Sequence, residues 1–380
     1  MPERSFFLSD LHIGDGSSPC LYQSRYHEAD LRTILRYLYG RRRDIRDLVL
    51  LGDIFDPLAV PPDRRPFTVA EAITANPGLF EEGNGGDFIS LFGSMRGTVT
   101  YVNGNHDQFV SVDAINAVLE GRCGRRVAGN ADPVANAVFR SGNILAEHGH
   151  FHSLLFRPAS HRSADDPPFG SYVSRILAEI CARKLAESGA ACAPELEGAG
   201  EPVLSFASAA FAAKELMELA LGKEELAEAL LDQFLFFAGT DRSRTSFTLE
   251  DGSERAASSI PAAHRDLWRR AGEDLAYLVA DATNSLQRAA EERIATEAPI
   301  VIMGHTHGPL LVADHYPREG VYANTGFGCP DCAERASGKK MPTFVEVEHH
   351  RNREVVLLKG VDPGGSVSTL NRLEYAVRRR

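Results

Sequence analysis

"TVTYVNGNHD" (Thr98–Asp107) joins a short apolar run directly to an amide, an imidazole and a carboxylate. The run predicts a half-buried β-strand, and the Gly and Asn after it are typical of a turn. A turn alone does not predict the His and the Asp beside them. Similar polar clusters follow four other apolar runs, in the stretches "LSDLH" (Leu8–His12), "LLGDIFD" (Leu50–Asp56), "AEHGH" (Ala146–His150) and "MGHTHG" (Met303–Gly308). The recurrence indicates one shared function for the five clusters.

The first 150 residues alternate short apolar runs with helical patterns. Helical spacing occurs around 22–39 and 112–119, between runs such as "SFFLSD" and "DLVLLGD". Strands that alternate with helices predict crossover connections and a largely parallel sheet. Such sheets bind ligands at the carboxyl ends of their strands, and the polar clusters lie at those ends.

The sequence pattern changes between 158 and 298, where Ala- and Leu-rich stretches have helical spacing. We predict a helical insertion over 158–298, between a first core part at 1–157 and a second at 299–380. Close-spaced strand patterns in the second part predict an antiparallel or mixed second sheet. Two apolar faces of the insertion could line a pocket for an acyl chain or form a dimer interface: Val203–Phe211 and Phe234–Phe237. Packing of the helices on each other is the commonest fate of such faces and is the favoured prediction.

The composition is that of an ordinary globular protein. A formal charge of −11 over 380 residues argues against broad nucleic-acid binding, which usually needs a positive face. It does not exclude a phosphorylated substrate, because bound cations reverse the local potential. No run reaches the ~18 apolar residues of a membrane helix, and cleavage of a signal peptide would remove Asp10. Six cysteines in a chain of this length do not make a disulfide framework, so we expect a cytoplasmic, reduced protein.

The residue types in the five clusters indicate a metal site. Carboxylate, imidazole and amide oxygen together suit Zn, Mn or Fe better than Ca or Mg, and no cysteine is needed. Because residues two apart on a strand share a face, Asp10 with His12, and His305 with His307, would each offer two groups to one cavity if the extended conformation persists. Glycines beside each cluster let the backbone turn sharply and approach a bound ion.

The motifs DLH, GDIFD, GNHD, HGH and GHTH, in this order, resemble those of the calcineurin-like metallophosphoesterase superfamily. The resemblance covers about 1–155 and 298–350, and it leaves the insertion unmatched. It implies a four-layer α/β/β/α sandwich of two mixed sheets with a two-metal centre at the strand ends. Asp10, His12, Asp53 and His307 would bind the first metal. Asp53, Asn105, His148 and His305 would bind the second, with Asp53 bridging.

The same resemblance implies a reaction and further roles. Two divalent cations, Mn foremost with Fe, Zn or Ni as alternatives, would hold a bridging hydroxide that attacks phosphorus. His106 would assist the leaving group, and Asn105 would also direct its NH₂ group to the phosphate. Asp107 would orient His106 or cap the next helix, and Asp56 would be a hydrogen-bond partner near the site or a cap. His150 is expected to contact the phosphate.

The sequence leaves the substrate open between a phosphomonoester, a phosphodiester and a pyrophosphate. UDP-diacylglucosamine pyrophosphatases are similar in their opening SDLH and GDIFD motifs, but they carry Arg where this chain has His106. If the protein were a catalytically silent scaffold, we would expect the metal-ligand positions to carry other residues. If it were a protein phosphatase, we would expect Arg within the motifs. We expect a phosphorylated small-molecule or lipid-like substrate, no nucleic acid, no integral membrane segment, and a homodimer through the insertion as one arrangement. We expect Cys329 and Cys332 to lie in an ordinary loop as free thiols, with half of a structural metal site as the alternative.

Overall fold

The structure, a computed structural model, describes residues 2–83, 85–130, 132, 135–153, 155–156, 167–198, 223–264, 282–314, 319–326, 328–330, 335 and 338–377. Its strands are β1 Glu3–Leu8, β2 Ile45–Leu51, β3 Thr98–Val102, β4 Val138–Ser141, β5 Ile144–Glu147, β6 Ser246–Thr248, β7 Glu254–Ala256, β8 Ile300–Met303, β9 Leu310–Asp314, β10 Gly320–Asn324, β11 Thr343–His349, β12 Arg353–Val361 and β13 Val367–Ala376. Its helices are α1 Ser24–Tyr39, α2 Val69–Ala75, α3 Pro77–Phe80, α4 Phe88–Ser94, α5 Val112–Cys123, α6 Phe169–Ser188, α7 Ala193–Gly198, α8 Lys223–Phe237 and α9 Ala282–Thr296. The apolar stretch Val203–Phe211 lies outside the described residues.

The first sheet has six strands in the order β13-β12-β11-β1-β2-β3. β1, β2 and β3 are parallel, so the predicted crossover arrangement of the first part of the chain is confirmed. β11 pairs antiparallel with β1, and β12 and β13 extend that edge. The prediction that the strands after the insertion form the second sheet is therefore wrong for β11 and β12, and β13 was not predicted as a strand.

The second sheet has five strands in the order β4-β5-β8-β10-β9. β5, β8 and β10 are parallel, so this sheet is mixed as predicted. It packs face to face with the first sheet through alternate apolar residues of both, because a strand points every second side chain to the same face. The buried residues of this interface include Phe7, Val49, Val102, Ile144, Ile302, Val321, Val345 and Val356.

Helices cover the outer face of each sheet. Apolar residues of α1, α2, α4 and α5 pack on the first sheet in the largest core cluster. α9 packs on the second sheet, where Leu286 and Ile294 lie in one cluster with Val301 and Tyr322. The predicted four-layer α/β/β/α sandwich is confirmed. Since α9 forms the fourth layer, we count it with the core, although the sequence pattern put it in the insertion.

The described part of the insertion has a hydrophobic core of its own. α6 and α8 pack together with the small antiparallel hairpin β6–β7, which the sequence did not predict. Phe234 and Leu235 of the FLFF stretch are buried in this core, whereas Phe236 is 73% exposed. The prediction that the insertion helices pack on each other is confirmed for α6 and α8. Within the described residues, no helix combines the length and apolar character needed to cross a lipid bilayer.

The insertion is held against the loops that follow β1 and β2. The guanidinium of Arg175 on α6 donates to the carbonyl oxygens of Pro61 (2.9 Å) and Pro62 (2.8 Å) in the core. It also donates to the carbonyl oxygen of Thr248 in the hairpin, at 2.8 Å. Farther along, the amide of Ala193 donates to Ser18 O at 3.0 Å. The insertion therefore lies on the carboxyl-end edge of the first sheet.

Candidate metal centre

The five polar clusters lie immediately beyond the ends of β1, β2, β3, β5 and β8. Five residues of these clusters have a left-handed backbone conformation, with φ between 46° and 70°. In the described part of the chain, these are the non-glycine residues with positive φ: Asp10, His12, Asp53, His305 and His307. Such conformations are costly for non-glycine residues and concentrate at functional sites. The extended conformation that would pair residues two apart does not persist here, so the side chains converge through turns and not through strand alternation.

Two glycines let the neighbouring loops approach one another. Gly52 has a φ of 81°, and a Cβ atom there would lie 2.6 Å from the His148 ring. A Cβ atom on Gly104 would lie 2.2 Å from Asp53 Oδ1. At these two positions a side chain would collide with His148 or Asp53, so glycine lets the loops approach each other; its predicted approach to a bound ion stays a prediction.

The first ligand cluster consists of Asp10, His12 and His307, whose ligand atoms lie within 4.8 Å of one another. His307 Nε2 is 3.3 Å from Asp10 Oδ1 and 3.2 Å from His12 Nε2. His12 Nε2 is 3.9 Å from Asp53 Oδ2. Two imidazole nitrogens and two carboxylates thus face a common point, which is the donor set that a transition-metal cation takes.

The second ligand cluster consists of Asp53, His148 and His305. His148 Nε2 lies 3.2 Å from Asp53 Oδ2, and its Nδ1 lies 2.9 Å from the carbonyl oxygen of Leu51, which fixes the ring with Nε2 toward the cluster. The buried Oδ1 of Asn105 has no hydrogen-bond partner among the described residues. A buried polar atom is normally paired, so this oxygen suits a cation ligand. Asp53 contacts both clusters.

Charges of opposite sign set the protonation of the clusters. Burial opposes ionisation of Asp53, but His148, His106 and His12 together outweigh burial and hold the pKa of this carboxyl well below its usual value. Conversely, burial lowers the pKa of His148, but Asp53 and Asp10 raise it to about 10. Burial and the neighbouring His148 lower the pKa of His305 to about 3. Ionised carboxylates and neutral imidazoles are the forms that bind a metal, so metal binding would release the proton of His148.

Asp56 connects a ligand with the residue predicted to assist the leaving group. Its Oδ2 lies 3.0 Å from His12 Nδ1, and its Oδ1 lies 2.7 Å from His106 Nδ1. Burial lowers the pKa of His106, but Asp56 and Asp53 outweigh burial and raise it to about 9. Of the two predictions for Asp56, the hydrogen-bond partner is therefore the one that the structure supports.

Asp107 has a different place from the one predicted. Its Oδ1 accepts from the amide of Gly104 at 2.6 Å, and its Oδ2 accepts from the amide of Ile54 at 2.8 Å and from the Tyr101 hydroxyl. The carboxylate therefore joins the loops after β2 and β3. The hydrogen bond to His106 Nδ1 is made by Asp56, and a catalytic role of Asp107 stays a prediction.

Two other predicted residues lie beside the clusters. His150 is buried, with its ring 5.6 Å from that of His148. Its predicted contact with phosphate stays a prediction. Cys329 is buried and its thiol donates to the carbonyl oxygen of Leu11 at 2.9 Å. Cys332 lies outside the described residues, so the structure does not test the predicted half-site.

Sequence reasoning missed a polar contact under Asp10. The hydroxyl of Ser9 contacts both the Asp10 carboxylate and the hydroxyl of Thr325. Next to Thr325, the side-chain Nδ2 of Asn324 donates to the carbonyl oxygen of Gly304 at 2.7 Å, in the turn before His305. Asn324 is the last residue of β10, which is parallel to β8, and Thr325 follows it, so the rule that found the other clusters could have found them.

No protein-family model and no curated protein matches the chain. Similar solved structures include vacuolar protein sorting 29 from Cryptosporidium parvum, with 11% identity, 99% coverage of each chain and a TM-score of 0.36. A dimetal phosphatase from Danio rerio has 14% identity over 98% of this chain and 99% of its own, with a TM-score of 0.40. A predicted phosphoesterase from Streptococcus pneumoniae TIGR4 has 10% identity, 99% coverage of each chain and a TM-score of 0.31. This chain has two packed mixed sheets and, at their strand ends, adjacent groups of His and Asp residues that could hold a metal ion.

Proposed function

We propose that this protein is a metal-dependent phosphoesterase. The observation that carries the proposal is the pair of adjacent ligand clusters at the strand ends, with Asp53 in contact with both. The unpaired buried oxygen of Asn105 fits the same proposal, because a cation would satisfy it.

The donor set fits two divalent cations, with Mn foremost and Fe, Zn or Ni also suited. Asp10, His12, Asp53 and His307 would hold the first cation. Asp53, Asn105, His148 and His305 would hold the second. When bound, such a pair lowers the pKa of water and neutralises charge on a phosphate group.

His106 is the residue that we assign to the leaving group. Asp56 engages its Nδ1, which leaves Nε2 as the nitrogen that can donate a proton to the departing oxygen. Asn105 would turn its NH₂ group to a phosphate oxygen, since its carbonyl oxygen serves the cation. His150, beside His148, is the further candidate for a phosphate contact.

We propose a phosphorylated small molecule or a lipid-like phosphate as the substrate class. The net charge of −11 disfavours nucleic acid, which needs a positive groove. A pyrophosphate link in a nucleotide-linked lipid precursor is the alternative substrate, and a catalytically silent scaffold is the alternative to an enzyme. A cytoplasmic location and a homodimer through the insertion stay predictions from the sequence.

The test is hydrolysis of p-nitrophenyl phosphate and bis-p-nitrophenyl phosphate, measured after EDTA treatment and again with Mn²⁺ added back. His106→Ala and Asp53→Asn should each lose most of the metal-dependent turnover, whereas His350→Ala, at the far end of β11, should retain it. The ratio of the two rates separates a monoesterase from a diesterase. A wild-type protein that holds two metals yet cleaves neither compound nor a pyrophosphate would favour the scaffold.

A further inference from the structure

The first turn of α6, residues 169–172, contacts loops that lie beside the ligand clusters. Its start is held in place by His264, whose Nε2 lies 3.0 Å from the carbonyl oxygen of Pro167. This turn makes two separate contacts, one to the loop that carries Asn105 and one to a residue that packs on His305. Both Asn105 and His305 belong to the ligand set proposed for the second cation.

The first contact is a buried hydrogen bond between side chains. Gln108 Nε2 donates to Ser171 Oγ at 2.9 Å, and the two residues are 6% and 2% exposed. Gln108 follows Asp107 in the tight loop after β3, where the Asp107 carbonyl oxygen accepts from the amide of Val110 at 2.9 Å. A displacement of Gln108 is therefore transmitted to the short segment that contains Asn105.

The second contact runs through Phe156. Its ring packs edge-on against His305, with centroids 5.0 Å apart and planes at 82°. On the other side, the amide of Gly170 donates to the Leu155 carbonyl oxygen at 2.7 Å. A Cβ atom on Gly170 would lie 2.4 Å from Phe156 Cε1, so the ring is wedged between the helix and the ligand. Gly170 is thus required for the position of Phe156.

We propose that the first turn of α6 is a positioning element for the second cation, so that affinity at this position depends on the insertion. This inference rests on the proposed two-metal function. The turn supports two ligands from opposite sides, Asn105 through Gln108 and His305 through Phe156.

The test is stepwise Mn²⁺ binding to the metal-free full chain, measured by isothermal titration calorimetry. His305→Ala and His307→Ala identify which step belongs to which cluster, because each removes a ligand of one cluster only. Ser171→Ala should weaken the second-cluster step by about tenfold, at the lower end of the effect of losing a hydrogen-bond partner near a metal ligand. The first-cluster step should stay within about twofold.

Ser174→Ala is the matched control for Ser171→Ala. Ser174 lies on the same helix and is 8% exposed, and its hydroxyl has no hydrogen-bond partner among the described residues. The same substitution there should leave both binding steps at wild-type values. If both serine variants weaken the second-cluster step equally, the effect belongs to α6 in general and the inference is overturned.

Gly170→Ala tests the other contact and should also weaken the second-cluster step by about tenfold or more, the range expected when a metal ligand loses its support. Gly121→Ala is its control, since a Cβ atom on that α5 glycine meets nothing within 4 Å. If Gly170→Ala does not fold, Ser171→Ala still decides the question. Wild-type affinities in both test variants would overturn the inference and leave the proposed function standing. Failure of the wild-type chain to bind Mn²⁺, Fe²⁺, Zn²⁺ or Ni²⁺ would overturn both, so the two failures are distinguishable.

Discussion

Asp56 determines the orientation of two imidazoles with one carboxylate, at 3.0 Å from His12 and 2.7 Å from His106. Asp56→Asn keeps the shape but removes the charge, and one side of the amide becomes a donor that faces an imidazole. We expect kcat/KM for an aryl phosphate to fall by about 10- to 100-fold, as is typical when a hydrogen-bond partner of a metal ligand is lost. Asp63→Asn, at an exposed position on the following loop, is the control, and equal rates in the two variants would contradict the assigned role.

The Asp107 carboxylate joins the loops after β2 and β3. Its carboxylate accepts hydrogen bonds from the backbone of two loops and from the Tyr101 hydroxyl. Tyr101→Phe leaves one of these buried acceptor sites unfilled, which costs about 1–3 kcal/mol in the free energy of unfolding. We expect a lower midpoint in chemical denaturation for Tyr101→Phe than for Tyr375→Phe, a control on the partly exposed strand β13. Identical midpoints would show that the Tyr101 hydroxyl does not support Asp107.

At this scale the sequence predicted which residues meet, but not how they are oriented. Asp10, His12, His305 and His307 were found because polar residues recur at strand ends, and parallel strands bring those ends to one edge. Their left-handed backbone could not be predicted, since none is a glycine. The sequence also did not show that Asp56 makes the hydrogen bond to His106, and the reason is similar. Side-chain direction in a tight turn is set by contacts with other loops, which a local pattern does not contain.

Among the described elements, α6 connects the insertion with the core through several hydrogen bonds. Arg175 alone donates to backbone carbonyl groups on both sides of that boundary. Next to it, the amide of Thr248 donates to Pro62 O at 2.9 Å. Arg175→Met keeps much of the apolar stem but removes every donor, so the hairpin β6–β7 should separate more readily from the loop after β2.

Hydrogen exchange measures this separation directly. We expect the amide of Thr248 to exchange at least about tenfold faster in Arg175→Met, which corresponds to the loss of about 1.4 kcal/mol of local stability, or one hydrogen bond to a charged group. Arg183→Met is the control, because Arg183 lies on the same helix but bonds to Phe237 O within the insertion. Unchanged exchange at Thr248 would mean that the other contacts of α6 suffice to hold the insertion.

The sequence predicted most elements but not all of their partners. Helical spacing located α1, α5, α6 and α8, because an amphipathic pattern depends only on the face that each helix buries. The pattern could not assign β11 to the first sheet. Alternation within a strand gives the buried face, whereas its neighbour is chosen by non-local pairing with β1. The hairpin β6–β7 escaped for a different reason: its strands are three residues each, too short for alternation to be recognised.

For the whole molecule, the metal centre joins loops from both sheets. Asp53 follows β2 of the first sheet, whereas His148 and His305 follow β5 and β8 of the second. A cation bound between them therefore ties the two sheets together at one edge, and its binding free energy adds to the stability of the fold. At a free metal concentration of 100 times Kd, this linkage contributes about 2.7 kcal/mol for one site.

We therefore expect EDTA to lower the Tm of the protein and Mn²⁺ to restore it in a concentration-dependent manner. Asp53→Asn should have a Tm that responds little to Mn²⁺, because the residue that contacts both clusters loses its charge. Asp63→Asn should respond as the wild type does. Differential scanning calorimetry across a Mn²⁺ series measures all three proteins without reference to any substrate. A wild-type Tm that is the same in EDTA and in millimolar Mn²⁺ would show that the clusters do not bind this cation in the folded state. The same absence of a response to Zn²⁺, Fe²⁺ and Ni²⁺ would refute the metal centre itself, whatever the rate of hydrolysis.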